Sequence, residues 1–572
     1  MKVLIVGGVA GGASAAARLR RLDEHAEIIL FEKSSFISYA NCGLPYYIGG
    51  AIADESALTL QTPESFRRRF RIDVRVRSEV KALYPGRKTV AVENLESGER
   101  YEETYDRLIL SPGARPVRPP IPGVDEKRVF TLRNVEDTLR IKSFIKQQRP
   151  VAAVVVGGGY IGLEMAENLF HAGLKVTVVE RMPQILMPLD YDMACEVQGY
   201  LREQGLRILT GESVTEFKAT EDGLLVRLEK GENLRCDLAI LAAGVAPDTR
   251  IAKEAGLALG WKDAILVNDQ METSMTDIYA VGDAVQVRHF VTGQPDLISL
   301  AGPANKQGRI AADRICGRDS HYNGSQGSSV IRLFGMTVAA TGINERTAGQ
   351  KGIVCDAAVT FSPSHATYYP GAKNMTVKTL FDPASGKILG AQIVGFDGVD
   401  KRCDIMAAAI RAGMTGEELA ELELCYAPPY SSAKDPVNMA GFVIENVRAG
   451  LVKQWHWHTY ADVLKREKTA FLDVRTEREF ARGHISGAVN IPLDDLRERL
   501  AELDQSVSYY VNCHSGLRSY LACRILMQNG FDCYNLSGGY RYFEMVEKGG
   551  GFDATPRHAC GAAIDRGGGQ TP

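Results

Sequence analysis

At 572 residues the chain is too long for one hydrophobic core, since single cores stop growing near roughly 250–300 residues. A net charge of −3, with 45% hydrophobic and 24% charged residues, is that of an ordinary globular chain and argues against nucleic-acid or anionic-membrane partners. No apolar run approaches the roughly 20 residues of a membrane span, and Met1-Lys2-Val3-Leu4-Ile5-Val6 runs straight into glycines, so the cytoplasm is the expected compartment.

The 11 cysteines stand at 42, 195, 236, 316, 355, 403, 425, 513, 523, 533 and 560. They form no Cys-x-x-Cys pair and no zinc-like spacing, so no metal is expected, and most read as small buried hydrophobes in a reducing compartment.

In chain order, the first element is an apolar run over 2–8, followed by Gly7-Gly8-Val9-Ala10-Gly11-Gly12 and a helix expected over 13–22. A strand turning tightly into a helix offers free backbone N–H groups and a positive dipole end to a pyrophosphate. Glu32 closes the next apolar run (27–31), 20 residues after Gly12, where a carboxylate accepts ribose hydroxyls. Val9 stands where the usual fingerprint has glycine. The arrangement returns at 151–156 with Gly157-Gly158-Gly159-Tyr160-Ile161-Gly162, then 176–179 and Glu180. The first glycines lie 150 residues apart, room for one nucleotide domain between them. Glu180 repels a 2′-phosphate and favours NADH, while Arg181 leaves NADPH possible. Two further pieces fit a flavoprotein: 105–113, ending Leu110-Ser111-Pro112-Gly113, and 273–283, ending in Asp283 after an apolar strand.

Over about residues 1–446 this order resembles the pyridine nucleotide-disulfide oxidoreductases. The resemblance implies an α/β chain with two Rossmann-like nucleotide-binding domains: FAD at 1–112 and 247–325, NAD at 113–246. An α+β dimerisation domain follows at 326–446. It implies cofactor contacts at Gly7, Gly8, Ala10, Gly11, Glu32, Lys33, Val80, Ser111, Pro112, Gly113, Gly244, Asp283 and Ala301. The nicotinamide set is Gly157, Gly159, Tyr160, Ile161, Gly162 and Glu180.

Most relatives carry two redox cysteines in the first domain; here only Cys42 lies there, in Ser38-Tyr39-Ala40-Asn41-Cys42-Gly43-Leu44-Pro45. A single cysteine stores no internal disulfide, so it forms a mixed disulfide or persulfide with a substrate, or a sulfenic acid. The segment resembles coenzyme A disulfide reductases. The resemblance extends to Ser14, Arg18 and Arg21, to Thr62-Pro63, to Tyr368-Tyr369-Pro370-Gly371, and to Tyr426-Ala427-Pro428-Pro429-Tyr430-Ser431 with Lys434. It implies CoA contacts at Ser14, Arg18, Arg21, Ser38, Asn41, Arg71, Asn305 and Lys434. It also implies a homodimer in which Tyr368 and Tyr426 face the partner's cysteine and protonate a departing thiolate. One lysine position of that family is Phe70 here, between Arg69 and Arg71. Flavin proximity and nearby positive charge are expected to lower the Cys42 thiol.

Residues 444–458 read as a connector ending in Trp455-His456-Trp457-His458, an entry segment with packed tryptophans rather than a metal site. Then come Asp473-Val474-Arg475, Glu479-Phe480, Gly483-His484-Ile485-Ser486-Gly487-Ala488, a helix expected between Pro492 and Tyr509, and Cys513-His514-Ser515-Gly516-Leu517-Arg518. This resembles an α/β rhodanese domain over 455–548, followed by a flexible glycine-rich tail over 549–572 that carries Cys560. Four residues separate Cys513 from Arg518, a loop one shorter than a phosphatase needs to encircle phosphate. It suits a sulfane sulfur on Cys513, with Arg518 bracing the loop or holding an anion.

The expected activity is NADH-dependent, FAD-mediated reduction of CoA disulfide, CoA persulfide or polysulfide at Cys42. Cys513 delivers the sulfane sulfur, and sulfide is released. Two alternatives stay open: an NADH oxidase or peroxidase working through a Cys42 sulfenic acid, and a sulfur-carrier module whose flavin half senses redox state.

Overall fold

The computed structural model describes residues 1–549, so the glycine-rich tail and Cys560 lie outside the described residues. Packing divides the chain into two units, Met1–Ile185 with Leu206–Gly327, and Leu186–Gly205 with Ser328–Pro572.

The first unit holds two parallel five-stranded sheets built alike. One runs Asp73–Arg75, Glu27–Phe31, Lys2–Val6, Arg107–Leu110, Ile278–Ala280. The other runs Arg207–Thr210, Lys175–Glu180, Ala152–Val156, Leu238–Leu241, Val129–Phe130. Their central strands are nearly continuous apolar runs because both faces are covered. In each sheet the strand order reverses beside the first strand of the repeat, which opens a crevice at the carboxyl ends. The helix after the first strand spans Ala10–Leu22, three residues earlier than expected, because Val9 already takes the N-cap position. It packs so closely on Ala301–Ile315 that a Cβ on Gly308 would lie 2.3 Å from the Gly11 carbonyl oxygen.

The second unit joins an antiparallel sheet to a parallel one. The antiparallel sheet is ordered Ser329–Leu333, Met336–Gly342, Ile388–Gly395, Asn374–Phe381, Asp356–Pro363. The parallel sheet is ordered Gln454–Trp455, Cys533–Leu536, Ser508–Asn512, Thr469–Asp473, Val489–Asn490. Segment Leu186–Gly205, continuous in sequence with the nucleotide insert, packs here through the helix Tyr191–Glu203.

Charge burial ties these pieces together. Lys378 is 1% exposed, and its ammonium meets Asp192 at 2.8 Å, Glu345 at 2.8 Å and Asp190 at 3.1 Å. Trp457 donates its indole N–H to Asp192 at 2.9 Å, and His456 meets Asp356 at 2.8 Å. Arg541, from the last helix among the described residues, reaches Glu196 at 3.3 Å. Trp455 is buried against Phe471 and Tyr510, so the Trp-His-Trp-His segment serves packing and hydrogen bonding.

Two local expectations change. The helix Pro436–Arg448 extends into the region read as connector, since Asp435 caps it and Ile444 is buried on its inner face. The helix expected between Pro492 and Tyr509 is a chain of turns with one short 3₁₀ helix, Leu500–Glu502. The backbone there bonds three residues apart, from Asp495 to Pro492 and from Leu503 to Leu500. Tight turns thus bury Leu496 while the acidic and basic side chains stay in water.

Replacing Lys378 with Met leaves two buried carboxylates without their cation. The expected result is destabilisation of about 3–5 kcal/mol, read as a lower unfolding midpoint in urea or on heating.

Candidate active site

The two glycine turns are stereochemical copies. Gly7 has φ +98°, and a Cβ there would lie 2.0 Å from the Ser111 carbonyl oxygen; Gly157 has φ +114°, with its Cβ 2.2 Å from that of Ala242. A Cβ on Gly12 or Gly162 would sit 1.9 Å from the oxygen of Gly7 or Gly157. Neither Val9 (φ −105°) nor Gly159 (φ −82°) needs a left-handed backbone, so valine in place of the middle glycine leaves the turn intact. Glu32 accepts from the Gly8 N–H at 2.9 Å, and Glu180 accepts from the Gly158 N–H at 2.7 Å. Burial pushes the Glu32 carboxyl up, against the hydrogen bonds of Ser34 and Gly8. Neither following helix has a side-chain cap or an acid in its first turn, so both N-termini suit a phosphate.

Around the first turn stand Ala10 and Gly11 on the helix, Ser111 at the end of Arg107–Leu110, and Asp283 in the 3₁₀ turn Gly282–Ala284. Asp283 is held by Arg133 at 3.3 Å. Ala301 opens the helix Ala301–Ile315, and Tyr160 and Ile161 open Tyr160–His171. Gly113 and Gly244 take positive φ, with Pro112 between Ser111 and Gly113. Lys33 pairs with Asp248 at 3.1 Å, and Val80 is buried in the strand Ser78–Tyr84.

Cys42 is exposed in the 3₁₀ turn Asn41–Gly43, directly before the helix Leu44–Gly49. That helix is fixed by Lys142, which donates to the Tyr47 and Ile48 carbonyls at 2.8 Å each, and by Gly49, whose Cβ would lie 2.2 Å from the Asn168 side chain. This contact places Tyr46 against Glu164 at 3.4 Å. The electrostatics around Cys42 reverse the expectation. Packing around its sulfur, and then the carboxylates of Glu164 and Asp283, push the thiol up; no cation pulls it down. Burial pushes Glu164 itself up to about 7, with Glu167 adding to the effect and the Tyr46 hydrogen bond opposing it. All ten described cysteines are free thiols.

A cavity of about 380 Å³ lies beside the first helix, and its lining includes Ser14, Arg18, Arg21, Ser38 and Asn305. Ser14 donates to Asn305 at 2.7 Å and Arg18 is braced by Asp313 at 2.7 Å. Gln61, Phe66, Phe70 and Arg309 also line it, with Ala13 and Ala17 of the first helix. Phe66 and Phe70 pack edge to face at 5.2 Å, so the aromatic ring in the lysine's place forms part of the lining. Arg309 lies one helical turn beyond Asn305, a spacing visible in the sequence. Gln61 and Phe66 carry no such signal. Asn41 and Arg71 fall outside the lining: Asn41 lies in the Cys42 turn, and Arg71 is the left-handed C-cap of Pro63–Phe70, facing Glu24 at 3.4 Å.

In the second unit Tyr368 and Tyr426 share a 2.7 Å hydrogen bond between their hydroxyls, on loops where Tyr368 is 74% exposed. That bond pushes the Tyr368 phenol up. Lys434 precedes the buried Asp435 on the segment that follows Tyr426.

Cys513 follows the strand Ser508–Asn512 and is buried. The Gly516 N–H points at its sulfur at 3.1 Å, and the Ser519 hydroxyl, not foreseen from the sequence, donates at 3.3 Å. Gly516, at φ +99°, turns the loop into the helix Leu517–Gln528. Of the two roles open to Arg518, the structure shows bracing: both of its terminal nitrogens meet Glu479 at 2.8 Å. Burial works to raise Glu479, yet the Arg518 hydrogen bonds and charge hold it down at about 2.

Comparison with known proteins places this architecture. Residues 1–308 match the pyridine nucleotide-disulphide oxidoreductases, residues 329–436 the dimerisation domain of that group, and residues 457–545 the rhodanese-like domain. The chain is similar to reduced CoADR-RHD of Bacillus anthracis (47% identity, 96% of this chain and 98% of that one, TM-score 0.94). It is similar to a NAD-dependent persulfide reductase from A. fulgidus (36%, 95% and 100%, TM-score 0.88). Coenzyme A disulfide reductase of Staphylococcus aureus (strain bovine RF122 / ET3-1) is 36% identical over 442 residues, 77% of this chain and 99% of that protein. A water-forming NADH oxidase from Lactobacillus brevis is more distant (28%, 79% and 99%, TM-score 0.75). The chain belongs to the pyridine nucleotide-disulphide oxidoreductases, with a rhodanese-like domain at its C-terminal side, and its cofactors are FAD and a nicotinamide nucleotide.

The two turns are separable by mutation. Gly157→Ala is expected to retain yellow flavin while raising the NADH KM by about tenfold or more, and Gly7→Ala to yield flavin-poor protein, read by visible absorbance and steady-state kinetics. The Glu479–Arg518 pair stabilises fully above the ordinary glutamate value of 4.5, and its contribution fades as pH falls toward about 2. Glu479→Gln is therefore expected to lower the unfolding midpoint at neutral pH and to flatten its acid dependence in that window.

Proposed function

We propose that this chain is a cytoplasmic homodimeric enzyme that uses NADH to reduce CoA persulfide, polysulfide or CoA disulfide. Cys42 acts as its single redox sulfur, and Cys513 as the carrier that brings sulfane sulfur. The observation that carries the reading is an exposed thiol, Cys42, four residues after Ser38, which stands in the wall of a cavity that also holds Arg18, Arg21 and Arg309. Guanidinium groups with two aromatic rings suit a ligand with both phosphates and a planar base, which describes CoA. The persulfide reductase and coenzyme A disulfide reductase among the similar proteins support the same substrates.

Gly7, Gly8, Ala10, Gly11, Glu32, Ser111 and Asp283 would hold FAD at the first turn, where it would supply two-electron exchange between NADH and sulfur. The chain's own residues do the rest. The Cys42 thiolate attacks the sulfur of an S–S bond, forming a mixed disulfide or persulfide on Cys42 and expelling a thiolate or hydrosulfide. Glu164, on the helix that Gly49 lets approach the Cys42 segment, is the group assigned to take up the Cys42 proton. Tyr368 and Tyr426 of the partner subunit donate to the departing sulfur through their shared hydroxyl bond. Arg21 and Lys434 of the two subunits bind phosphates. For a persulfide the balance is NADH + H⁺ + RSSH → NAD⁺ + RSH + H₂S. At the other end of the chain, the Gly516 N–H and Ser519 hydroxyl stabilise an anionic sulfur on Cys513, and Arg518, clamped by Glu479, keeps that loop in shape.

Anaerobic NADH oxidation tests the reading. Turnover with CoA persulfide or polysulfide, yielding one sulfide per NADH, is the expected result. Consumption of NADH only with oxygen or peroxide would transfer the assignment to an oxidase working through Cys42 sulfenic acid. Cys513 persulfidation without any NADH turnover would leave a sulfur carrier. Cys42→Ser is expected to keep its flavin and lose sulfur reduction by about a thousandfold or more. Cys513→Ser is expected to lose sulfurtransfer from thiosulfate while still reducing small soluble persulfides.

A further inference from the structure

The Tyr368–Tyr426 pair stands on two exposed loops, and exposed loops rarely hold two hydroxyls 2.7 Å apart without support beneath them. The support is a single buried guanidinium. Arg402, in the first turn of the helix Val399–Ala412, is 1% exposed and is the largest fully buried side chain of the described residues. It donates to the Ser364 carbonyl at 3.0 Å, the Ser431 hydroxyl at 3.1 Å, the Gly398 carbonyl at 3.1 Å and the Asp435 carboxylate at 2.9 Å.

These partners are the roots of both tyrosine loops. Ser364 begins the 364–371 loop, and its hydroxyl meets His365 at 3.0 Å, whose other ring nitrogen reaches the Pro370 carbonyl at 3.2 Å, bracketing Tyr368. Ser431 ends the 426–431 turn, and Tyr430 and Ser431 bond back to the Ala427 carbonyl. The Ala366 N–H crosses to the Ser431 carbonyl at 3.0 Å and so staples one loop to the other. Ser431 also donates to Asp435 at 2.7 Å, and Asp435 caps the helix Pro436–Arg448. Burial would raise the Asp435 carboxyl, but the Arg402 and Ser431 hydrogen bonds hold it below the usual carboxylate range, so the pair stays ionised and paired.

We propose that Arg402, acting through Ser431 and Asp435, is the positioning residue that sets the Tyr368–Tyr426 hydroxyl pair for proton donation. The proposal rests on the role given above to the two tyrosines. A buried guanidinium has fixed fork geometry and can hold several acceptors at once, whereas a lysine ammonium cannot span both loop roots. Small displacements of a proton donor lower turnover more than they lower binding.

The test is a double-mutant cycle on the full-length, flavin-loaded enzyme, with inorganic polysulfide as the sulfur substrate and ferricyanide as an acceptor that bypasses Cys42. Arg402→Lys is expected to lower kcat for polysulfide by about tenfold, leave NADH–ferricyanide turnover and Cys513 sulfurtransfer unchanged, and add nothing in a Tyr368→Phe/Tyr426→Phe background. Ser431→Ala removes one strut without leaving an unpaired charge, and is expected to act in the same direction to a smaller extent; it carries the test if Arg402→Lys does not fold. Additive losses in the double-Phe background, or unchanged polysulfide turnover in both positioning variants, overturn the inference while the role of the tyrosines stands. Wild-type polysulfide turnover in the double-Phe protein sinks the role of the tyrosines, and the inference with it.

Discussion

The Lys378 ammonium, enclosed by Asp190, Asp192 and Glu345, is the constraint around which the second unit is arranged. An isolated charge at this depth is prohibitively costly, so the carboxylates have to be brought to it and kept there. Asp190 and Asp192 arrive from the chain between the nucleotide domain's strands, which explains why Leu186–Gly205 packs with the second unit. Asp192 also accepts from Trp457, so the entry to the C-terminal sheet is fixed to the same charge centre. Arg541 on Glu196 adds a second tie from the far end of that domain. The rhodanese-like domain is thereby seated on the dimerisation sheet by polar groups that must all be present together.

The two sulfurs given roles in the proposed function sit in opposite settings. Cys42 is open to the surface but faced by carboxylates, which favour the neutral thiol. Cys513 is buried, yet a backbone N–H and a hydroxyl point at its sulfur. A carrier benefits from the second arrangement, since a bound sulfane sulfur is held as an anion away from water. A redox sulfur that must be attacked and released in turn benefits from access.

Much of this was legible in the residues. The glycine turns, their flanking strands and the acids Glu32 and Glu180 are local signals, and local backbone geometry enforces them. The Cys513 loop was legible for the same reason. What escaped depends on chain segments far apart. Gln61 and Phe66 reach the cavity only through the folding of 59–70 over the first helix, and Glu164 comes beside Cys42 only because Gly49 lets two helices approach. The sign of the Cys42 shift was not legible because the charges that face it come from distant segments, Glu164 and Asp283, while Lys33, nine residues before it, pairs with Asp248. The helix expected after Pro492 failed because leucines at helical spacing are equally well buried by successive tight turns.

The paired turns differ at three places, Val9/Gly159, Ala10/Tyr160 and Gly11/Ile161, and the first is the middle position. At Gly7, Gly12, Gly157 and Gly162 a methyl group would overlap a carbonyl oxygen at about 2 Å. Those positions are closed to drift in both copies, while the middle position demands no special backbone and borders open space at Gly159. Two turns of one shape can therefore differ in what they hold without either losing that shape. Scaffold and ligand preference are written at different residues.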